Sequence, residues 1–322
     1  MMKAPLVAVT GATGFLGRHV LDTLAGKGWR LRLLIRGDVL PRLATRSVEL
    51  VRGDLADEDA LQRLVRGATA VVHLAGLIKA KRRADFLAVN RDGSARLAAA
   101  IAAAAPGARC VLISSLSARE PHLSDYAGSK QAGEAAAIAA LGEKADWVVL
   151  RPGVIYGPGD REGLALRRLV SAPFIPVPRA PEPRISFVHA RDVAAAIAGV
   201  CLAGPSNAVF EVADERSGGY GWREIMRRLC EMLRCEPRFV PVPDSMFLAS
   251  GAMADAWSSI TGRPSLFGRG KAREILHRDW GSSAERQLPS LVWVPGIPLQ
   301  AGLQDMLGWW TSLGLVNAAA PA

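Results

Sequence analysis

The sequence predicts an α/β fold in which helices cover both faces of a doubly wound parallel sheet, with a smaller lobe toward the C-terminus. Three observations lead to this prediction. Short, nearly continuous runs of Val, Leu and Ile alternate with helical segments through the first half of the 322 residues, as parallel strands buried on both faces require. A glycine-rich turn directly follows the first run. After Arg151–Gly153 the alternation weakens and prolines cluster from Pro173 to Pro183, which indicates a change of architecture.

The elements of the first half follow from this alternation. Predicted strands cover Leu6–Thr10, Leu31–Ile35, Val48–Val51, Ala70–Leu74, Cys110–Ser114 and Trp147–Leu150. Predicted helices cover Phe15–Gly26, Glu58–Val65, Asn90–Ala105 and Tyr126–Leu141. We expect one domain over residues 1–160 and a second lobe over 161–322, with a segment of about 185–213 returning to the main sheet.

The second lobe has irregularly spaced elements. Predicted strands cover Ala208–Val212 and Phe239–Val242, and predicted helices cover Trp222–Cys235, Met246–Ile260 and Leu299–Leu313. The stretch Ser245–Trp257 is apolar and rich in methionine. A Met and aromatic stripe at helical spacing usually faces the interior, so we expect core packing there. The alternatives are the lining of an apolar pocket and contact with a membrane.

Composition limits the class of protein. Half of the residues are hydrophobic and 22% are charged, which excludes a disordered chain, and no uninterrupted apolar run is as long as a membrane span. The four cysteines form no CxxC pair and the five histidines have no metal-ligand spacing, so we expect free thiols and no metal. The start, Met1–Pro5, leads directly into a strand. We therefore predict a cytoplasmic protein, with association with the inner face of a membrane left open.

The net charge of +10 could attract nucleic acid, anionic lipid or a phosphorylated small molecule. An aromatic content of 6% and the lack of a zinc-finger, helix-turn-helix or RNA-recognition signature argue against nucleic acid. The basic run Lys79–Arg83 follows the fourth predicted strand. It is either a solvated loop or a contact for phosphate or an anionic headgroup.

The most specific local pattern is the turn TGATGFLG at residues 10–17. Gly11 permits a tight turn, Gly14 lets backbone amides approach a pyrophosphate, and Gly17 lets the helix pack on the sheet. The spacing is GxxGxxG rather than GxGxxG. The pattern predicts a dinucleotide-binding first domain whose phosphates contact this turn and the first helical turn, that is Gly11, Thr13, Gly14, Phe15, Leu16, Gly17 and Arg18.

In such folds, a residue at the end of the second strand contacts the adenosine ribose of the dinucleotide. Here that residue is Arg36, which together with Arg18 favours a 2′-phosphate, because guanidinium groups match phosphate oxygens. NADP(H) is therefore preferred, although Asp38 keeps NAD(H) possible. At the ends of the third and fourth strands, we expect adenine to contact Asp54 and Leu55 and the cofactor ribose to contact Ala75 and Gly76.

Tyr126 and Lys130 lie four residues apart, on one helical face. The ammonium can stabilise a tyrosinate and lower the pKa of the phenol, which makes Tyr126 a candidate proton donor to a carbonyl. A serine at the end of the preceding strand could polarise the same carbonyl. We choose Ser115, with Ser117 and Ser114 as alternatives, and expect Tyr126 and Lys130 also to contact the cofactor.

Beyond these residues, the chain resembles the extended branch of the short-chain dehydrogenase/reductase superfamily over nearly its whole length. The matching pieces are TGATGFLG at 10–17, GDL at 53–55, HLAG at 73–76, VNRDG at 89–93, YAGSK at 126–130, LRPGVIYGPGD at 150–160, FVHARDVA at 187–194 and GLQDMLGWWTSLG at 302–314. The resemblance implies a Rossmann domain with a C-terminal substrate lobe, hydride transfer at a nicotinamide, and a Ser/Tyr/Lys catalytic set. It also implies that Pro152, Gly153 and Val154 lie against the nicotinamide.

One departure bears on the substrate. Extended enzymes acting on nucleotide sugars carry a longer insertion before the catalytic Tyr, whereas Ser115 and Tyr126 are 11 residues apart here. This compact version is similar to an atypical subgroup that includes the nucleotide-binding accessory subunit of respiratory complex I, and to bacterial reductases of keto-lipids such as oxidised ceramide. We therefore expect a hydrophobic keto-lipid substrate for a monomer or homodimer. The alternatives are a nucleotide-sugar epimerase or dehydratase, and a non-enzymatic, cofactor-binding assembly protein.

Overall fold

The computed structural model describes residues 4–37, 48–179, 181–236, 238–262 and 267–316. Within these ranges the strands are β1 (Leu6–Thr10), β2 (Arg30–Ile35), β3 (Val48–Arg52), β4 (Ala70–His73), β5 (Arg109–Ile113), β6 (Trp147–Pro152), β7 (Val154–Tyr156), β8 (Ile175–Pro178), β9 (Arg184–Ile185), β10 (Phe187–His189), β11 (Ala208–Val212), β12 (Tyr220–Gly221), β13 (Phe239–Val242) and β14 (Asp279–Trp280).

The helices of the same ranges are α1 (Phe15–Gly26), α2 (Glu58–Val65), α3 (Arg83–Phe86), α4 (Gly93–Ala104), α5 (Asp125–Leu141), α6 (Leu164–Val170), α7 (Ala190–Leu202), α8 (Trp222–Leu233), α9 (Asp244–Thr261), α10 (Arg269–Leu276) and α11 (Leu299–Ser312). A π-helical turn covers Leu87–Asp92, and 3-10 turns cover Leu116–Arg119 and Ala284–Arg286.

Seven of the described strands form one sheet in the order β11-β6-β5-β4-β1-β2-β3. Every neighbouring pair in it is parallel. The chain moves in one direction from β1 to β3 and in the other from β4 onward, so a crevice opens outside the carboxyl ends of β1 and β4. The doubly wound Rossmann fold predicted from the sequence is confirmed, and its crevice is where a ligand of such a sheet binds.

Helices bury both faces of this sheet. In β1, Val7 and Val9 contribute to the core beneath α1 and α7, whereas Ala8 contributes to the core beneath α2, α4 and α5. Successive residues of a strand point to opposite faces, so both kinds of position must be apolar when both faces are covered. This explains why the predicted strands read as continuous apolar runs.

The second lobe has its own core and small sheets. β7 pairs with β10, β9 lies between β12 and β14, and β13 pairs with β8. Tyr156, Met226 and Trp310 are fully buried in its core. The chain between these pieces returns to the first domain, because α7 packs on α1 and β11 extends the main sheet beyond β6. The division at residue 160 stays a prediction.

Two expectations about individual helices need correction. The predicted helix Asn90–Ala105 is interrupted, since a π-helical turn over Leu87–Asp92 precedes α4. The expectation of core packing for the apolar stretch in α9 is wrong, because Gly251 is its only fully buried helical residue and Met253 and Trp257 are each 68% exposed. The partners that would cover this stretch do not occur among the described residues.

The structure also bears on disulfides, metal sites and membrane spans. The four cysteines are free thiols, and no cluster of metal-ligating side chains occurs in the described ranges. Across those ranges, no helix combines the length and the apolar character needed to cross a membrane.

Candidate functional site

The glycine-rich turn closes the crevice at the end of β1. Gly11 has a left-handed φ of +73°, and a Cβ there would lie 2.6 Å from the backbone nitrogen of Ala75. At Gly17 a Cβ would lie 2.4 Å from the carbonyl oxygen of Gly11. Larger residues would therefore force the turn away from β4 or lift α1 from the sheet. The sequence brings strand, turn and helix together in the geometry that accepts a pyrophosphate.

The N-terminus of α1 is open toward the crevice. No side chain caps its first turn, and Thr13 and Gly14 are exposed, so the backbone N–H groups there can hydrogen-bond to an anion. Phe15 and Leu16 are partly buried behind them. The ring of His19, one turn along, lies 2.9 Å from the carbonyl oxygen of Pro158, which fixes the loop after β7 beside the helix.

Two exposed arginines lie where the sequence predicts contact with the adenosine ribose. Arg18 lies in the first turn of α1 and Arg36 directly after β2, and neither forms an ion pair with the described residues. Asp54 follows β3, where its carboxylate accepts a hydrogen bond from the N–H of Ala56 at 2.7 Å, and Leu55 packs against Gly93. Asp38, the residue that favours NAD in the sequence, lies outside the described residues.

The loop after β4 is held by a residue whose role the sequence reasoning missed. Asn90 accepts a hydrogen bond from the N–H of Leu77 at 2.8 Å and donates to its carbonyl oxygen at 3.0 Å, so its amide fixes the chain just after Ala75 and Gly76. It also donates to the Ser129 hydroxyl. Asn90 lies in the π-helical turn, and such turns are frequent at functional sites. Its motif VNRDG was noted, but only the fold reveals this contact.

A buried histidine joins the strands below that loop. The ring of His73 lies 2.6 Å from the Thr10 hydroxyl and 3.0 Å from the Ser94 hydroxyl. Burial lowers the pKa of His73 to about 3, so the ring is neutral at ordinary pH. This histidine joins the ends of β1 and β4 that form the crevice.

Helix α5 carries the predicted acid and its neighbour. Ser124 caps this helix by accepting a hydrogen bond from the N–H of Ala127 at 3.0 Å, and Tyr126 in the first turn points to the start of the 3-10 turn after β5. Of the three candidate serines, it is Ser115 whose hydroxyl interacts with the phenol and acts to lower its pKa. Ser117 donates its N–H to Ser115, and the buried Ser114 hydroxyl has no hydrogen-bond partner in the described chain.

The expected lowering of the tyrosine pKa by Lys130 is not what the structure shows. Burial raises the pKa of Tyr126 to about 12, the Ser115 hydroxyl acts to lower it, and the negative charge of Glu274 acts to raise it further. The ammonium of Lys130 instead donates to the carbonyl oxygen of Ile113 at 2.7 Å. The phenol is therefore protonated at neutral pH, the form in which it can donate a proton.

Lys130 points toward the predicted ribose position. A Cβ added to Gly76 would lie 3.7 Å from its nitrogen, which places the ammonium beside the loop after β4. Burial lowers the pKa of Lys130 to about 8, and Glu134, one turn further along α5, acts to raise it. Glu134 itself is buried and forms a two-bonded ion pair with Arg151, so a carboxylate is fixed beneath the lysine.

The segment predicted to contact the nicotinamide borders the same crevice. Pro152 ends β6 and is buried, and Val154 is 44% exposed. Gly153 between them is packed so closely that a Cβ would lie 2.4 Å from the carbonyl oxygen of Ser186. The backbone there joins both domains, because β7 begins at Val154.

Glu274 is a second residue that the sequence reasoning missed. It lies on α10, is only 5% exposed, and accepts hydrogen bonds from Ser124 and, at 3.0 Å, from Lys271. Through Ser124 it is connected to the cap of the helix that carries Tyr126. No local pattern identifies Glu274, since it meets α5 only after the second lobe has folded onto the first.

The glycine turn, the uncapped helix and the exposed arginines fit a dinucleotide, and the comparisons with known proteins agree. Residues 7–213 match the model of the NAD dependent epimerase/dehydratase family. The chain belongs to this family, within the extended short-chain dehydrogenases/reductases. It is an NAD(P)-dependent oxidoreductase of that type.

Among curated proteins, the chain is similar to the ceramide reductase of Caulobacter vibrioides, with 45% identity over 315 residues that cover 96% of this chain and 95% of that protein. It is also similar to the mitochondrial NADH dehydrogenase (ubiquinone) 1 alpha subcomplex subunit 9 of Arabidopsis thaliana. That match has 27% identity and covers 78% of this chain and 63% of that protein. Both kinds of relative were implied by the resemblance in the sequence.

Solved structures share the fold. The crystal structure of gox2253 matches with a TM-score of 0.76 at 20% identity, covering 98% of this chain and all of that one. MoeE5 in complex with UDP-glucuronic acid and NAD matches with a TM-score of 0.72 at 22% identity, covering 96% of this chain and 100% of that one. At these identities the likeness concerns the fold alone.

Proposed function

We propose that this protein is an NADP(H)-dependent reductase that acts on the ketone of a long-chain lipid of the oxidised-ceramide type. The observation that carries the proposal is the convergence of Tyr126, Ser115 and Lys130 at the crevice beside the glycine turn. The substrate class is supported by the 45% identity to a ceramide reductase over almost the entire chain. The short path from Ser115 to Tyr126 also favours a lipid over a nucleotide sugar.

The proposed reaction needs one proton and one hydride. A bound nicotinamide supplies the hydride. The phenol of Tyr126 donates its proton to the carbonyl oxygen as negative charge develops there, and the Ser115 hydroxyl donates a hydrogen bond to the same oxygen. Burial keeps the phenol protonated at neutral pH, so the proton that reduction requires is present on Tyr126.

In this proposal the ammonium of Lys130, which donates to the carbonyl oxygen of Ile113, holds the cofactor ribose beside Gly76. Asn90 acts through the loop that it fixes, so it is a positioning residue.

Tyr126→Phe tests the proposed chemistry. With NADPH and a 3-oxo-ceramide in detergent micelles, we expect the variant to lose a hundredfold or more of kcat, because a positioned proton donor contributes about 10²–10⁴-fold. NADPH oxidation is followed by absorbance and cofactor binding by fluorescence. Tyr156→Phe is the matched control, since its phenol lies in the core of the second lobe.

The two alternatives give different results. If Tyr126→Phe retains full reductase activity, or the wild-type protein binds NADPH and turns over no keto-lipid, the proposal fails. Turnover of a UDP- or dTDP-sugar instead would identify a nucleotide-sugar enzyme. Binding without any turnover, together with full rescue of a deletion strain by Tyr126→Phe, would identify an assembly protein.

We also propose that the cofactor is NADP(H), on account of the exposed Arg36 and Arg18. Arg36→Asp removes a guanidinium partner of the 2′-phosphate and adds a carboxylate that repels it. We expect NADPH to bind about 10–100-fold more weakly, while NADH affinity changes less than about threefold. Titration of each cofactor by fluorescence measures both affinities, and an equal loss for the two would contradict the assignment.

A further inference from the structure

Helix α9 presents an apolar stripe to solvent. Met246, Met253, Trp257 and Ile260 are 59–79% exposed. At 3.6 residues per turn these four positions fall within an arc of about 60° on one side of the helix. An exposed contiguous set of large apolar side chains of this kind marks an interaction surface.

The opposite side of α9 is the one that attaches it to the protein. A Cβ at Gly251 would lie 2.9 Å from the backbone of Gly268, and the carboxylate of Asp255 accepts a hydrogen bond from the N–H of Arg269 at 2.9 Å. The helix is therefore fixed by its small and acidic residues onto the start of α10. Its apolar stripe faces away from the protein because of this attachment.

A basic loop adjoins the end of this stripe. The ammonium of Lys81 lies 3.2 Å from the position of a Cβ on Gly262, which ends α9. Lys81 and Arg83 are exposed and form no ion pair with the described residues, whereas Lys79 is paired with Glu162. The two unpaired cations supply positive charge next to an apolar surface that carries none.

The basic loop and the apolar stripe are each connected to the neighbourhood of Tyr126. Phe86, three residues after Arg83, has its ring centre 6.2 Å from that of Tyr126. On the other side, α10 contacts the cap of α5, where a Cβ on Gly270 would lie 2.8 Å from that of Ser124. The basic loop is thus connected to Tyr126 through Phe86, and the stripe is connected to the N-terminus of α5 through α10.

We propose that Met246, Met253, Trp257 and Ile260, together with Lys81 and Arg83, form a surface that docks on a lipid bilayer containing anionic phospholipids. Apolar side chains on one helical face enter the acyl boundary, Trp suits the interface, and adjacent cations contact lipid phosphates. The complementarity of charge selects a bilayer over a second copy of this basic chain. Docking through this surface would bring the site to a lipid substrate that remains in the membrane. This inference rests on the proposed function and extends it.

Vesicle binding without substrate tests the surface independently of the reaction. The full-length protein is floated with vesicles of phosphatidylglycerol and phosphatidylethanolamine, or of phosphatidylcholine alone. We expect binding to the anionic vesicles, weakened by salt because the contact with lipid phosphates is screened. Met253→Ser with Trp257→Ser, and separately Lys81→Glu with Arg83→Glu, are each expected to reduce the bound fraction about tenfold.

Matched controls separate this surface from general hydrophobicity and charge. Leu291→Ser changes a fully exposed apolar residue elsewhere, and Lys27→Glu with Lys144→Glu reverses two exposed charges elsewhere; neither should change binding. No binding to anionic vesicles, or equal losses in controls and variants, would overturn the proposal. So would a dimer in light scattering that dissociates on Met253→Ser with Trp257→Ser while vesicle binding is absent.

An activity measurement then links docking to the reaction. The stripe variant should lose activity toward a keto-lipid embedded in vesicles and keep that toward a short, water-soluble ketone. If wild-type protein binds vesicles but reduces neither compound, the proposed function fails while the docking surface stands.

Discussion

Some side chains of the site are buried in a charged form, which suits the proposed reaction but lowers the free energy of unfolding. Lys130 is the clearest case. Burial lowers the pKa of its ammonium from 10.5 to about 8, which means that the folded state disfavours the charged form. Below pH 8 the lysine is charged in both the folded and the unfolded chain, and the folded state bears the full cost of burying that charge. Between pH 8 and 10.5 only the unfolded chain keeps the proton, so stability rises through that window.

Lys130→Met should therefore increase stability while it abolishes function. At pH 7 we expect the free energy of unfolding to rise by on the order of 1–3 kcal/mol, and the gain to shrink toward pH 10.5. Activity should fall, since the proposed contact of the ammonium with the cofactor ribose is lost. Urea unfolding at the two pH values and NADPH oxidation provide the measurements. Lys144→Met, at an exposed position, is the control, and a destabilised Lys130→Met at pH 7 would show that the bond to Ile113 outweighs the burial cost.

At the scale of elements, the sequence predicted what depends on local periodicity. β1, β11 and the helices α1 and α2 have the predicted bounds, and the other strands of the main sheet differ at their ends by a residue or two. Buried parallel strands are contiguous apolar runs bounded by turns, so a short window contains the whole signal. The glycine turn was predictable for the same reason, because strand, turn and helix are consecutive in the chain.

The remaining elements depend on contacts between distant segments. The two-residue strands β9, β12 and β14 carry no periodicity, and they exist because their pairing partners come from three separate parts of the chain. The π-helical turn with Asn90 and the contact of Glu274 with Ser124 are likewise set by tertiary packing. Helix α9 was predicted from its pattern, but its orientation was not, because its apolar composition fits a core and an exposed surface equally well.

At the scale of the whole molecule, one arginine joins the catalytic segment to the second lobe. Arg119 ends the 3-10 turn that follows Ser115. Its guanidinium donates to the carbonyl oxygens of Asp279 and Gly281 at 2.6 and 2.8 Å, and to the carboxylate of Glu211 at 3.2 Å. Glu211 is 2% exposed on β11 and also accepts the N–H of Ser283 at 2.9 Å. Arg119 and Glu211 both belong to the first domain, and this nearly buried ion pair holds the segment from Asp279 to Ser283 of the second lobe through those contacts.

Arg119→Met should loosen that junction, because it leaves the buried carboxylate of Glu211 with the N–H of Ser283 and the more distant guanidinium of Arg286, at 3.4 Å. Removing one partner of a buried ion pair destabilises a protein more than removing both, because the remaining charge stays buried without its partner. We therefore expect a loss of about 2–4 kcal/mol in the free energy of unfolding. Adding Glu211→Gln should restore a large part of it, and urea unfolding of the two single variants and the double variant gives the coupling energy. The KM for the lipid should rise while NADPH affinity is retained, since the glycine turn lies on the other domain. Strictly additive losses would show that Arg119 acts through its carbonyl contacts alone, and the ion pair would then have no part in joining the lobes.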